Sequence, residues 1–114
     1  ESQIGWIPYF VERADDTWQT HQWAQGEERS QRPPSDYYRE HISACFFKDT
    51  VGIDLLDRIG EDNVLFETDY PHQDGTFPRS KQVAEELFGH LPQPTINKIA
   101  RGNAIKLLGL DFEP

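Results

Sequence analysis

The 114-residue chain is long enough for one domain with an ordinary hydrophobic core, since domains near this size bury roughly two-thirds of their unfolded surface. Its formal net charge of −9, from 20 acidic and 11 basic residues, argues against nucleic acid as a partner, because phosphate backbones are bound by clustered Lys and Arg. No apolar run approaches the roughly 18 residues of a membrane span, and the single Cys45 cannot form an internal disulfide, so we expect a cytoplasmic protein that does not enter membranes.

The first predicted element is a helix that starts near Ile7 and runs beyond Trp18. Its apolar residues recur at helical spacing, and Pro8 is acceptable only in a first helical turn. The polar run at 25–35 contains a proline pair and cannot continue a helix. It therefore predicts a surface connection.

A strand–helix–strand unit is predicted next. Residues 42–47 and 63–68 are compact apolar runs that are too short for helices and are typical of buried strands. Between them, Thr50 can cap a short helix that ends at Gly60. Parallel strands need a crossover of this kind, whereas antiparallel strands need only a hairpin. The pattern therefore predicts a right-handed βαβ unit whose sheet is buried on both faces.

Two more helices are predicted after the loop at 71–78. Ser80 can cap the first and Thr95 the second, and Gly109 suits the end of the last helix. Asn103 lies on the apolar stripe of that last helix, away from the strand ends. We therefore expect its amide to satisfy backbone groups of a neighbouring loop.

The carboxyl ends of the two predicted strands are where chemistry is expected, because the active sites of parallel α/β proteins gather there. Lys48 and Asp49 at the first end are explained by a salt bridge and a helix cap. At the second end, alternation at about 3.3 Å per residue places Glu67 and Asp69 on one side of the strand, roughly 6 to 7 Å apart. A buried carboxylate is costly unless it is paired or bound to a metal. The alternative is that Glu67 pairs with a cation on a neighbouring strand and Asp69 caps the following loop.

The loop after the second strand has a pattern that suits a metal. Asp69, His72 and Asp74 could place oxygen and nitrogen ligands around one cation, and carboxylate and imidazole suit zinc or manganese. The same spacing is also typical of a turn with a solvated histidine. The residues alone leave both interpretations open.

Four segments of the chain resemble the closing part of the amidohydrolase-2 group, whose members are similar to aminocarboxymuconate-semialdehyde decarboxylase. These segments are IGWIPYF at 4–10, the strand at 42–47, NVLFETDYPHQD at 63–74 and KIARGNAIKLLGL at 98–110. The resemblance implies an α/β fold that is the C-terminal portion of a TIM-like (β/α)₈ barrel, from the end of strand six to strand eight with flanking helices. Residues 1–114 would form this single segment. Because a complete barrel needs roughly 200 residues or more, the chain is expected to be incomplete.

The resemblance also implies the roles of individual residues. Asp69 would be the strand-eight aspartate that binds a divalent metal and accepts a proton from its bound water, with zinc expected and manganese as the alternative. His72 and Asp74 would line the mouth of the substrate pocket. Glu1 falls where many relatives carry a catalytic strand-six histidine, and Glu67 falls where a small residue is common. The family's other metal-ligating histidines, on strands one and five, would lie outside this chain.

These features predict the C-terminal part of a metal-dependent hydrolase or carboxy-lyase that acts on a small organic or aromatic acid. The isolated chain is expected to be inactive. It is also expected to form a homo-oligomer or to pair with the remaining barrel segments, because its strands would expose unpaired edges. The alternative is a noncatalytic α/β interaction module, derived from the same barrel, that has lost its metal. Glu1 and Glu67 are the features that favour this alternative.

Overall fold

The computed structural model describes residues 2–112 and contains a two-stranded parallel sheet flanked by helices. The strands pair residue for residue, with Ala44 opposite Val64 and Phe46 opposite Phe66, so the predicted α/β unit with a crossover is confirmed. Glu1 lies outside the described residues. In chain order the elements are α1 (Ile7–Thr20), a 3₁₀ turn (Gln22–Ala24), α2 (Pro34–His41), β1 (Ala44–Phe46), α3 (Thr50–Asp54), α4 (Leu56–Ile59), β2 (Val64–Phe66), α5 (Ser80–Phe88), α6 (Gln93–Asn97), a π-helical segment (Lys98–Gly102) and α7 (Asn103–Leu108).

Both strands are shorter than the apolar runs predicted. Hydrogen bonds of the parallel ladder continue one step beyond the paired residues at each end. The amide of Ala44 donates to the carbonyl of Asn63 at 2.9 Å, and the amide of Glu67 donates to the carbonyl of Phe46 at 2.9 Å. Beyond Glu67 the chain turns away from β1, so the extended pairing ends there.

The hydrophobic core packs against the face of the sheet that carries Phe46 and Phe66. On one face, the rings of Phe46, Phe66 and Phe88 meet in edge-on contacts with centroids 5.4 to 5.9 Å apart. Val64 on that face and Leu65 on the other are both buried, as alternation along a strand requires for a covered sheet. Burying one large apolar side chain contributes about 1.5 to 3 kcal/mol. The predicted burial is therefore confirmed for the phenylalanine face and only in part for the other, where Cys45 is half-buried beside the buried Leu65.

The crossover is two short helices where one was predicted. Leu55 separates α3 from α4 with φ of −104° and ψ of 16°, which is outside the helical region. The N-cap of α3 is Asp49, not Thr50, because the Asp49 carboxylate accepts a hydrogen bond from the amide of Gly52 at 2.7 Å. Gly60 follows α4 with φ of 98°, a conformation that favours glycine, so the predicted stop is confirmed.

The last helical run spans residues 93–108 and contains a π-helical turn in its middle. Immediately after this turn, the buried Asn103 donates through Nδ2 to the carbonyls of Glu61 at 2.7 Å and Val64 at 2.8 Å. The structural role predicted for Asn103 is therefore confirmed. Gly109 ends the run in the left-handed conformation, also as predicted.

Besides Thr50, two further predicted helix caps are wrong. Ser80 is the first residue of α5, with no side-chain cap bond before it, and its hydroxyl lies 2.9 Å from the hydroxyl of Thr76. Thr95 lies inside α6, where its hydroxyl donates to the carboxylate of Glu61 at 2.7 Å. In both cases a residue outside the helix contacts the hydroxyl that local pattern assigns to a cap, four residues earlier for Ser80 and in a distant loop for Thr95.

An apolar groove of about 520 Å³ lies between α1 and α2 and reaches the start of β1. Trp6 and Phe10 form part of its wall, with their rings edge-on at 5.4 Å, and each is exposed over about half of its surface or more. A contiguous exposed apolar patch of this kind is typical of a surface that contacts another segment or chain. Across residues 2–112, no helix is both long enough and apolar enough to span a bilayer.

Candidate functional site

The candidate site lies at the carboxyl edge of the sheet, where the two parallel strands end side by side. Asp49 follows the last residue of β1 by three positions, and Asp69 follows the last residue of β2 by three positions. Because Phe46 and Phe66 are paired, both aspartates leave the same edge of the sheet. Geometry decides which of the two is available for chemistry.

The Asp49 carboxylate is engaged by backbone amides. Oδ2 accepts from the amides of Ile4 at 2.7 Å and Gly5 at 2.6 Å, and Oδ1 accepts from the amide of Gly52 at 2.7 Å. The predicted helix cap is confirmed, and it also anchors the amino-terminal segment. In the described part of the chain no ion pair joins Lys48 to Asp49, so the predicted salt bridge is absent there.

The backbone of Asp69 is in the left-handed region, with φ of 55°. Aspartate tolerates this region better than most residues, but the conformation still costs of order 1 to 3 kcal/mol. The preceding carbonyl, that of Thr68, accepts from the amide of Thr76 at 2.9 Å and lies 3.3 Å from its hydroxyl. A Cβ on Gly75 would lie only 2.6 Å from the same carbonyl, so the close approach requires glycine. The loop therefore holds Asp69 in its turn.

Thr76 and Gly75 were not identified from the sequence. Thr76 is buried at 4% exposure, which is unusual for a polar residue in a loop. The only sequence signal was a glycine within the loop after the second strand. That signal predicts a turn without saying which carbonyl the turn approaches.

The Asp69 side chain is 15% exposed and contacts His72, which is 61% exposed. Oδ2 of Asp69 lies 2.8 Å from Nδ1 of His72, and the amide of His72 donates to the carbonyl of Asp69 at 2.7 Å. An ionised carboxylate can only accept, so Nδ1 carries the proton in this contact. The structure thus brings together two of the three residues that the spacing singled out. Asp74, the third, is exposed in the same loop.

Two aromatic rings pack across the loop that carries this pair. The rings of Tyr70 and Phe77 meet edge-on with centroids 4.8 Å apart, and about two-thirds of each residue is exposed. Each ring residue precedes a proline through a cis peptide bond. The two arms of the loop therefore meet beyond the Asp69 turn.

Glu67 lies on the sheet face opposite the phenylalanine cluster. Burial raises the pKa of the Cys45 thiol, and the nearby Glu67 carboxylate adds to this increase, so the two side chains share that face. The alternation predicted from Glu67 to Asp69 does not apply, because β2 ends at Phe66 and Asp69 is left-handed. The spacing of about 6 to 7 Å assumed an extended strand.

The donors present fit part of a metal site. Within the described residues, no group of three or more His, Cys, Asp or Glu side chains is placed to hold a metal ion. Asp69 and His72 supply carboxylate and imidazole, the ligand types of zinc and manganese sites. Catalytic zinc sites use three protein ligands, so a metal bound here needs donors beyond those described.

Comparison with known proteins identifies a family and a set of similar structures. The model of the amidohydrolase family matches residues 3–110. A 5-carboxyvanillate decarboxylase from Sphingomonas paucimobilis superposes with a TM-score of 0.73 over 90% of this chain and 30% of its own, at 20% identity. At this identity the likeness shows the fold alone.

Two further structures are somewhat closer in sequence. A dihydroxybenzoic acid decarboxylase from Polaromonas sp. JS666, with bound manganese and the inhibitor 2-nitroresorcinol, is 25% identical with a TM-score of 0.68, over 95% of this chain and 32% of its own. A 2,6-dihydroxybenzoate decarboxylase from Rhizobium is 26% identical with a TM-score of 0.66, over 93% of this chain and 32% of its own. The chain therefore spans about a third of the length of these structures.

Proposed function

The chain belongs to the amidohydrolase family, and on that premise we propose that it is the C-terminal part of a (β/α)₈-barrel enzyme that uses a divalent metal. The parallel strands, the helical crossover and the superposition on about a third of three decarboxylases support this assignment. In such a barrel, β1 and β2 would be strands seven and eight. Asp69 would then face the pocket at the carboxyl end of the barrel, where barrel enzymes place their active sites.

The proposed reaction is loss of carbon dioxide from a small aromatic acid, with hydrolysis of a related substrate as the broader class. In decarboxylation, the bond between the ring carbon and the carboxylate carbon breaks and a proton takes the place of the carbon dioxide. Three similar structures are named as decarboxylases of aromatic acids, which favours a carboxy-lyase. One of these structures contains bound manganese, so manganese is proposed together with zinc as the ion that this protein would use.

Asp69 carries the proposal, because its largely buried carboxylate lies at the strand end with one oxygen held by His72. A bound divalent metal supplies Lewis acidity and can lower the pKa of a bound water to about 7. Asp69 would serve as ligand to that metal or as the base that takes and returns a proton at its carboxylate. His72 and Asp74 would line the mouth of the pocket. Glu1 stays a prediction as a further catalytic group.

The remaining barrel segments are the proposed partners of this chain. In a (β/α)₈ barrel each strand is followed by a helix that leads to the next strand, and α1 and α2 precede β1. A strand before α1 would pair with the free edge of β1 and cover the apolar groove between α1 and α2. The same packing would remove the exposed edge that otherwise favours self-association.

A noncatalytic interaction module is the second candidate. It is favoured by one observation, namely that residues 2–112 contain no group of three side chains placed to hold a metal. A family member that has lost its metal could keep the packing of the sheet and helices unchanged. Turnover distinguishes this candidate from the enzyme.

The test uses the full-length protein supplied with Mn²⁺ or Zn²⁺ and 2,6-dihydroxybenzoate as a probe, with formation of 1,3-dihydroxybenzene followed by chromatography. We expect turnover by the unchanged protein and a loss of about 10² to 10⁴ in rate for Asp69→Asn, since a general base contributes that much. Asp57→Asn, the same change at an exposed position of α4, is the matched control. Activity of Asp69→Asn within threefold of the unchanged protein would contradict the role of Asp69, and absence of turnover by the unchanged protein would favour the interaction module.

A further inference from the structure

We propose that His72 is a positioning residue that fixes the carboxylate of Asp69, so that Oδ1 is presented to the divalent metal. This inference rests on the proposed function and deepens it. In this arrangement Nδ1 of His72 bonds to Asp69, and Nε2 is directed to the mouth of the pocket.

His72 contacts Asp69 at two points. The ring nitrogen Nδ1 lies 2.8 Å from Oδ2 of Asp69, and the backbone amide of His72 donates to the Asp69 carbonyl at 2.7 Å. The second contact fixes the position of the His72 backbone close to Asp69. The ring therefore reaches the carboxylate through the short histidine side chain. A short two-point contact of this kind restricts both the rotamer of Asp69 and the plane of its carboxylate.

The chemistry of the pair sets which atoms remain available. The Nδ1–H group is used by Oδ2, since a carboxylate only accepts, and neutral imidazole then carries its lone pair at Nε2. Oδ1 of Asp69 has no such partner among the side-chain hydrogen bonds of residues 2–112. Oδ1 is therefore the oxygen whose lone pairs are both available to a cation.

The turn itself does not fix this orientation. Gly75 and Thr76 hold the carbonyl of Thr68 and, with it, the left-handed backbone of Asp69. Those contacts are made to backbone atoms and not to the Asp69 carboxylate. Carboxylates that bind metals are oriented by hydrogen bonds from outer residues, and loss of such a partner costs about 10- to 100-fold in metal affinity.

The reversed arrangement is the main competitor. Asp69 could orient His72 while Nε2 of His72 binds the metal, as carboxylates often do for metal-binding histidines. The exposures favour the first arrangement, because Asp69 is 15% exposed at the strand end and His72 is 61% exposed. A ligand in a water-excluding pocket is expected to be the less exposed member of the pair.

Two substitutions separate these roles in the full-length protein, with binding of Mn²⁺ alone measured by titration calorimetry. His72→Asn keeps a donor, because Nδ2 of asparagine lies where Nδ1 of histidine does, and His72→Phe keeps a ring without the donor. We expect Mn²⁺ affinity within about threefold for His72→Asn and about 10- to 100-fold weaker for His72→Phe. His90→Phe, at an exposed position after α5, should bind Mn²⁺ as the unchanged protein does.

Equal and large losses for both His72 variants would make His72 a ligand and overturn the proposal, and no loss in either would overturn it as well. Nitrogen-15 NMR of the metal-free protein gives a second measurement that needs no substitution. The proposal expects His72 protonated at Nδ1, and the Nε2–H tautomer would contradict it.

If the unchanged protein binds no Mn²⁺, the proposed function itself fails. If it binds Mn²⁺ and Asp69→Asn does not, the function stands and the His72 variants alone decide.

Discussion

Asp49 and Asp69 occupy equivalent places in the fold but differ in what their carboxylates contact. Each follows a paired phenylalanine by three residues at the carboxyl edge of the sheet. Asp49 accepts from three backbone amides, two of them more than forty residues away in sequence. Asp69 accepts from the ring of His72 in the same loop. A position at a strand end is therefore not enough to identify a functional residue. The carboxylate must also have oxygens that are available for a ligand.

The largest expected effect is a loss of protein stability when Asp49 is substituted. Asp49→Asn replaces one accepting oxygen with a donor that faces backbone amides, so at least one charge-assisted bond is lost and the others weaken. Hydrogen bonds to charged groups contribute about 1.5 to 3 kcal/mol each, and we expect the free energy of unfolding to fall by about 3 kcal/mol. Urea unfolding of the full-length protein measures this change.

The same substitution at Asp69 is the control. Asparagine tolerates the left-handed region and can still accept from His72, so we expect the free energy of unfolding to change by less than about 0.5 kcal/mol or to rise. A larger loss of stability for Asp69→Asn than for Asp49→Asn would contradict the assignment of a structural role to one and a chemical role to the other.

The next largest effect is a loss of stability from a substitution at the amino end of β2, the end opposite Asp69. Asn103 donates to two carbonyls at the amino end of the strand, far from the Asp69 turn. Asn103→Ala leaves both carbonyls without this donor, and we expect the free energy of unfolding to fall by about 2 kcal/mol with turnover per folded molecule unchanged. Asn97→Ala, at an exposed position of α6, should cost much less. Unchanged stability with lost turnover for Asn103→Ala would place the residue in the site instead.

The smallest effect is the pH dependence contributed by Glu61, also at the amino end of β2. A hydrogen bond from Lys98, with a second from Thr95, holds the pKa of Glu61 below its ordinary value of 4.5. A lowered carboxyl pKa adds stability that is present above pH 4.5 and is lost as pH falls through the folded-state value. We expect the urea midpoint of the unchanged protein to exceed that of Glu61→Gln at neutral pH. The difference should narrow below pH 4.5, and a difference that widens in acid would contradict the sign.

Local sequence pattern predicted α1, both strands, the helical crossover and the last two helical runs, because each is set by periodicity and a strong terminator, but it did not predict the full length of α2. The bounds of α1 follow from an apolar stripe and from Pro8, which is tolerated only near a helix start. The parallel strands follow from two short apolar runs separated by a helical crossover. Gly60 and Gly109 mark two helix ends through positive φ. None of these signals depends on contacts distant in sequence.

The predictions that failed depended on contacts that local sequence pattern does not encode. Asp49 and Thr50 are both good capping residues, and the amides of Ile4 and Gly5 give Asp49 contacts that no local pattern encodes. At the site, the spacing of Asp69 and His72 predicted their proximity but not which atoms meet. The alternation rule failed beyond Glu67 because the turn at Asp69 is held by a loop carbonyl contact.

The metal content of Asp69→Asn tests the central claim most directly. The full-length protein and the variant would be purified alike, saturated with Mn²⁺ or Zn²⁺, freed of excess ion and analysed by plasma mass spectrometry. Because the substitution removes the charge that attracts a divalent cation while keeping the shape of the side chain, we expect about one ion per chain in the unchanged protein and nearly none in the variant. Equal metal content in a folded Asp69→Asn protein would contradict the account and leave Asp69 as a residue that only completes a turn.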